Sequence, residues 1–475
     1  MSGRGSGAGS VTTSQQPSGD EGIQTITSTI QVSGDLAGSV PDPNATFQPR
    51  QILTINEAIR RGLQYNLGSR AAIQAAKQAA ASQQGARSSL LPTISASLSE
   101  NLDKVDLATS GFDASSFPSI GQYFPSTVGP FHYYSAQANA SYSALDAVAI
   151  DNYATTKRQA EAATIGSSDV REQVILAVAG TYLRILSDVA LVDSESAQVK
   201  YSQAVYDQSA AQEEAGAKAH VDVNRILIQF QTERERLAVD DAALIKDKMA
   251  LARQIGLPID DDFGVSETLT GDLEPELSLQ DAYRRAQTDR NDLRAAELQV
   301  RAAQDARRAA GAERLPTLKL QGSYGLQGIN PNSGVSVYSG SVQLNIPIFS
   351  GGQIRSDERE ADAALDQRRS ELADLREEVR FEVRSAWIDR DVASSQVALA
   401  ASNRKLAAET LQQSTDRFFA GATTSVEVVQ SEQVVAAAER DYISSLFSLN
   451  VAKVKLARAM GEAEKEIPVV LKGAQ

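Results

Sequence analysis

The chain has 475 residues, with 60 acidic against 46 basic side chains for a net charge of -14, two histidines and no cysteine. That charge leaves no basic footprint for phosphate, so nucleic acid is excluded as a partner. The missing thiols remove disulfides, thiolate metal centres, a cysteine nucleophile and a lipidated N-terminal cysteine together, and with only His132 and His220 as imidazoles no metal or other cofactor is expected.

In chain order, residues 1–50 are rich in Gly, Ser and Pro and read as a mostly disordered flexible leader, without the apolar core of a secretory signal. No run of about 18 apolar residues stands out anywhere, which excludes a transmembrane helix. It does not exclude the membrane, because barrel strands of about ten alternating residues average out in hydropathy.

The sequence then repeats itself. "LTINEAIRRG" from Leu53 returns as "LSLQDAYRRA" from Leu277, and Leu91-Pro92-Thr93 returns as Leu315-Pro316-Thr317, both at an offset of 224. Gly216 matches Gly421, and "LARQIG" at Leu251 matches "LARAMG" at Leu456, both at an offset of 205. The reading is a first repeat over 51–256, a linker over 257–276, a second repeat over 277–461 and a tail over 462–475. The difference of 19 between the offsets is placed in the Phe/Pro/Ser/Gly-rich loop from Gly111 to Phe131.

Each copy opens with a capping box, Thr54 with Glu57 and Ser278 with Asp281. An Ala-rich helix follows, about Gly68 to Ser89 and Asp292 to Arg314, until Pro92 and Pro316 forbid its continuation. The period then changes to two. Tyr134, Ala136, Ala138, Ala140 and Tyr142 alternate with polar partners, as do Leu318, Leu320, Tyr324 and Leu326, and Tyr338, Val342, Leu344 and Ile346. Hairpins are expected over about 93–146 and 317–349. An apolar face opposite a small polar face suits a barrel wall between lipid and a wet lumen, and it suits a soluble hairpin packed on helices about equally. Four strands cannot close a barrel alone, so a membrane role requires several chains.

Proline-free helical tracts follow, about Ala147 to Ala215 and Gly351 to Ala420, each about 100 Å long at 1.5 Å per residue. Each ends in a glycine turn, "AGAKAHVDV" over 215–223 and "AGATTSVEV" over 420–428, and is followed by a return helix of about 40 residues, roughly 60 Å. A short helix and a return helix stacked end to end nearly match a long one, which suggests a cylinder wall. Trp387 is read as helix-packing core, Lys218 and His220 as solvated tip residues, and Phe117, Tyr123, Phe124 and Phe131 as loop aromatics.

These residues resemble the TolC-like outer-membrane efflux protein family from about Gln51 to Gly461. The tandem LPT, "IPIFSGGQI", the paired "AGA" turns and "LARxxG" carry the likeness. The first copy departs at the strand exit, with "SALDAVAI" in place of Ile348-Phe349-Ser350-Gly351-Gly352. The resemblance implies a mixed α + β membrane protein: a homotrimer with a twelve-stranded transmembrane β-barrel, four strands per chain, continued by a periplasmic helical tunnel. It implies a passive exit duct in the bacterial outer membrane, not an enzyme, surrounded by outer-membrane lipid and served by a periplasmic adaptor and, through it, an inner-membrane transporter. The cargo would be small molecules, drugs or metal ions. A type I protein-secretion duct is the alternative, with a soluble coiled-coil scaffold ranked lower.

By position the resemblance makes Ala215, Gly216, Ala217, Ala420, Gly421 and Ala422 adaptor contacts. It places Glu427 and Asp222 at the periplasmic aperture, Phe418 where a gate tyrosine is expected, Thr423 in place of an arginine, and Gln430 in place of a second acid. Phe418 cannot donate a hydrogen bond and Thr423 cannot form a salt bridge, which argues against a tightly latched gate. The residues themselves give Asp222 and Glu427 a second reading, as acids favouring the start of each return helix.

Overall fold

In the computed structural model, residues 52–110, 125–271 and 277–470 are described. The leader, the aromatics Phe117, Tyr123 and Phe124, part of the linker and the last five residues lie outside them.

The first copy starts with β1 (Ile52–Leu53), α1 (Ile55–Tyr65) and α2 (Leu67–Ser88). Thr54 caps α1 by accepting the Glu57 amide at 3.2 Å, while the Glu57 carboxylate turns to Arg60 rather than closing the box. β2 (Thr93–Asp106) and β3 (Thr127–Leu145) form a hairpin, and α3 (Ala147–Glu214) runs 68 residues, about 100 Å. α4 (His220–Ile255) returns, and β4 (Gly264–Val265) pairs in parallel with β1.

The second copy gives α5 (Leu279–Asp289), α6 (Asn291–Ala312), β5 (Thr317–Gly328) and β6 (Val335–Asn345). It continues through α7 (Gln353–Phe419), α8 (Ser425–Ala459) and the short α9 (Ala463–Val470). Ser278 caps α5 through the Asp281 amide and also donates to the Asp281 carboxylate at 2.8 Å. The departure of the first copy at the strand exit has a local explanation. α7 begins on Gly351-Gly352, both with positive φ, whereas α3 begins on Asp146, whose carboxylate accepts the Ala149 amide at 2.9 Å. A side-chain cap thus stands in for the glycine pair.

The 19 extra residues of the first copy are not all in a loop. Thr127 to Phe131 belong to β3, which has 19 residues against 11 in β6. Phe131 pairs with Asp103 across the hairpin. The insertion therefore lengthens the strands as well as their connection, because the alternation of the first hairpin continues past the point where Pro130 and Gly129 suggest a turn.

The exclusion of every apolar helix is also corrected. Among the described residues α3 holds one window long and apolar enough, by length and composition, to cross a membrane, and half of it is buried. Its Val174, Ile175, Val178, Tyr182, Leu183 and Ile185 are fully or almost fully buried in the main core with Leu53, Ile55, Leu251, Ile255 and Phe263. The apolar stretch is thus accounted for by helix packing.

Across the helical wall the order is α2 and α4, then α3, then α6 and α8, then α7. The two long helices alternate with end-to-end pairs of shorter ones. A second core joins α5, α6, α7 and the end of α8 through Leu293, Leu372, Val383 and Leu456. Trp387 packs against it and donates from Nε1 to the Leu277 carbonyl at 3.2 Å.

The four long strands form one antiparallel sheet in the order β2-β3-β5-β6, leaving β2 and β6 as edges. Its register sorts side chains by face. Ala96, Ala138, Tyr324 and Tyr338 form one row and Ile94, Ala140, Gly322 and Gly340 the next. The alternate row is Ser95, Asn139, Ser323 and Ser339, with Asn139 donating to Ser97 at 3.3 Å and Ser323 and Ser339 bonded at 2.9 Å. The apolar side chains are exposed, Leu98 at 81% and Tyr338 at 84%.

Candidate functional site at the helical tip and on the sheet face

Both helical hairpins turn by the same backbone device. Gly216 and Gly421 sit at φ 72° and 71°. The Ala217 amide reaches the Gln212 carbonyl and the Ala422 amide the Arg417 carbonyl, each at 2.8 Å, while the two glycine amides reach Glu213 and Phe418. This pair of bonds satisfies the last free carbonyls of a long helix and requires a left-handed residue after the cap, hence glycine. A Cβ at either glycine would meet nothing within 4 Å. The demand is thus conformational, and Ala215, Gly216, Ala217, Ala420, Gly421 and Ala422 all stay exposed.

The residues behind the turns tie the copies together. Ser425, at the start of α8 and buried, donates to Asp222 Oδ1 at 2.6 Å, and Arg225 Nη1 reaches Ser425 Oγ at 2.9 Å and Asp222 at 3.2 Å. Phe418 is buried against Val205, Ile226 and Val428. It makes its polar contact through the ring, with Lys218 Nζ 3.7 Å from the centroid. Lys218 also donates to Ser209 at 3.1 Å, and burial lowers its pKa. Lys218 is thus half-buried between hairpins, not a freely solvated tip residue. His220, by contrast, is exposed and pairs with Glu213 at 2.6 Å. Tyr201 bonds Thr415 at 2.8 Å, a further link between α3 and α7.

Glu427 is occupied differently. Arg417 Nη1 reaches it at 2.9 Å, and Thr423 donates to its other oxygen. Both partners lie on the same hairpin, so much of its charge is answered locally, while Gln430 is exposed on the next turn of α8. Asp222 and Glu427 both occupy the first turn of their helices, where a carboxylate offsets the positive end of the dipole. The structure brings Asp222, Phe418 and the neighbours of Gly216 into one cross-repeat network and leaves Gln430 outside it. Sequence reasoning missed Arg417, Ser425 and Arg225. Arg417 lies ten residues before Glu427, a spacing that becomes a contact only once the chain has turned at Gly421.

The comparisons with known proteins bear on this arrangement. Residues 282–462 match the family model described as outer membrane efflux protein. The match spans most of the second repeat. The fold extends the likeness to nearly the whole chain. The Campylobacter jejuni CmeC outer membrane channel superposes with TM-score 0.75 at 17% identity, covering 89% of this chain and 90% of that one. The outer membrane protein VceC of Vibrio cholerae gives 0.73 at 18%, over 86% of this chain and 96% of its own. The open-state MtrE outer membrane channel of Neisseria gonorrhoeae gives 0.71 at 18%, over 86% and 89%. No curated protein matched the chain by sequence. The resemblance to TolC-like outer-membrane efflux proteins therefore holds, by sequence in the second copy and by fold in both.

Proposed function

We propose that this chain is an outer-membrane efflux channel that works as a homotrimeric passive exit duct. The observation that carries the reading is the two-faced sheet: four strands with an exposed apolar side, a polar Ser/Asn/Gln side with Ser and Asn hydrogen bonds across it, and two unpaired edges. Unpaired strand edges cannot persist in hydrocarbon, so β2 of one copy would pair with β6 of the next. Three copies give twelve strands, with tyrosine and leucine toward lipid and the polar rows toward the lumen.

The helical wall supports the same closure. α7 carries exposed Phe381, Ile388, Val392, Leu399 and Leu406, spaced by seven and four residues, and α4 at the opposite side of the wall exposes Val221, Ile228, Val239 and Ile245. Two unlike apolar seams on opposite edges make a head-to-tail contact that closes into a ring. The helices then form a tunnel in the periplasm, with the Gly216 and Gly421 turns at its rim.

In this reading the six exposed residues around those glycines contact a periplasmic adaptor, which couples the duct to an inner-membrane transporter. Asp222, Glu427, Phe418, Thr423 and Gln430 surround the aperture, and three copies of Glu427 would favour cations. The cargo is of the kind a tripartite pump exports, small molecules, drugs or metal ions, with a type I secretion duct as the second assignment of the same architecture. No covalent chemistry and no cofactor form part of it.

The test is expression with the full upstream region, followed by fractionation and planar-bilayer recording. A detergent-extracted, conducting trimer is expected. Recovery in the aqueous fraction without detergent would refute the reading.

A further inference from the structure

Above the tip, three glutamates from three helices and both copies meet out of solvent: Glu195 on α3 is 3% exposed, Glu233 on α4 0% and Glu432 on α8 2%. Glu432 lies seven residues past the start of α8 at Ser425, roughly 10 Å along the helix. On α4, Arg236 reaches both Glu233 oxygens at 3.2 Å, and Gln229 donates to the same carboxylate. On α8, Arg440 is engaged by Glu195 at 2.9 Å and by Asp240 at 2.6 Å. Three carboxylates thus share two guanidiniums, and Glu432 is set against Glu233 with no guanidinium of its own among the described residues.

Its surroundings do not answer its charge. Glu432 Oε1 is buried without a hydrogen-bond partner, and so are Glu195 Oε2 and, on the same side of α3, Ser202 Oγ. Tyr201 of α3 lies near enough to feel Glu432, and Asp416 of α7 adds a further negative charge to that neighbourhood. Burial raises the Glu233 carboxyl, Arg236 opposes the rise and the charge of Glu195 adds to it. Burial first, and then the charge of Glu233, push Glu432 up to about 7.

We propose that the Glu195, Glu233 and Glu432 cluster holds a proton that fastens α8 to the α3/α4 hairpin just above the tip, and that its release as pH rises loosens that packing. The sign follows from the direction of the shift. A carboxyl whose folded pKa is raised contributes its stabilisation fully below the unfolded value, near 4.5, and loses it as pH climbs through the folded value. The tip is thus tightest in mildly acidic surroundings and looser in alkaline ones. The inference concerns helix packing and does not depend on the duct: conductance tests the duct, and amide exchange tests the proton.

The experiment is hydrogen exchange on the full, assembled chain, corrected for the intrinsic rate, followed over residues 425–440 and 225–240 between about pH 5.5 and 8.5. Protection is expected to fall by up to about tenfold per pH unit as pH rises toward about 7 and to level off above it. Glu432→Gln, which keeps the shape of the protonated acid, should hold protection flat across the range. Glu233→Gln removes the neighbouring charge and should move the midpoint to lower pH. Equal protection of the wild type at both ends overturns the proposal, as does a wild-type fall in Glu432→Gln. Should Glu432→Gln fail to fold, the Glu233→Gln midpoint decides alone: a downward shift supports the proton, and an unmoved midpoint overturns it.

Discussion

Gly421 and Gly461 end consecutive helical segments in the same left-handed conformation, at φ 71° and 78°, yet alanine should affect them unequally. At Gly421 an added Cβ meets nothing within 4 Å, so the cost is the left-handed backbone alone, about 1–2 kcal/mol. At Gly461 the same atom would lie 2.8 Å from the Arg290 amide nitrogen and 2.8 Å from the Asp289 carbonyl carbon. Those are backbone atoms at the junction of α5 and α6, and Arg290, 3% exposed, is fixed there by Asp292 and Glu382. Displacing them adds an overpacking cost of about 1–3 kcal/mol. Gly461→Ala should therefore lower the melting temperature of the purified protein clearly more than Gly421→Ala. Equal melting temperatures would refute the reasoning, because they would mean that the contact at Arg290 carries no energy.

The sheet gives a paired test. Val342→Arg places a charge on the exposed apolar face and should block membrane assembly, at a cost of about 2–4 kcal/mol if it lies near mid-bilayer, whereas Ser341→Arg on the other face should assemble; fractionation reads the difference. At the tip, Glu427→Gln should reduce cation preference in reversal-potential measurements and Arg417→Ala should increase it, since Arg417 answers that charge at 2.9 Å. Gly216→Pro should break coupling to the pump while the assembled protein persists, and normal efflux would count against adaptor contact there. Where α3 meets the start of α6, Glu172, raised to about 7 by burial, should make stability decline as pH rises from the ordinary carboxylate range through 7. Glu172→Gln should flatten that decline in a melting-temperature series.

Much of this architecture was legible because it rests on local patterns. Proline, glycine and the switch of hydrophobic period fixed where Ala-rich helices end near Leu91 and Leu315, and the repeat offsets placed both tip turns on Gly216 and Gly421. The polar network behind the tip was not, because its contacts are made between copies that carry different residues at matched positions. Lys218 stands opposite Thr423, Ser425 opposite His220 and Glu432 opposite Leu227 at the offset of 205. An argument from repetition reads what the two copies share. It is blind to an interaction such as Ser425 with Asp222, which joins one copy to the other through their differences. The apolar centre of α3 was missed for a related reason, since Arg184 and Asp188 interrupt the run in sequence while the neighbouring helices bury what lies between them.

The two offsets also locate where the copies are free to differ in length. From each tip turn to the closing "LAR" motif the copies keep an offset of 205, and α4 and α8 have 36 and 35 residues; α3 and α7 have 68 and 67. Nearly all of the length difference lies in the hairpins, where β3 exceeds β6 by eight residues. Helices that share one wall must match, because a single extra turn in one would displace its end by about 5.4 Å from its neighbours. A hairpin that projects beyond the wall has no such partner at its far end. The helical lengths are therefore held by the need of both turns to reach the same rim, and that is the end of the molecule at which Lys218 of one copy lies on Phe418 of the other.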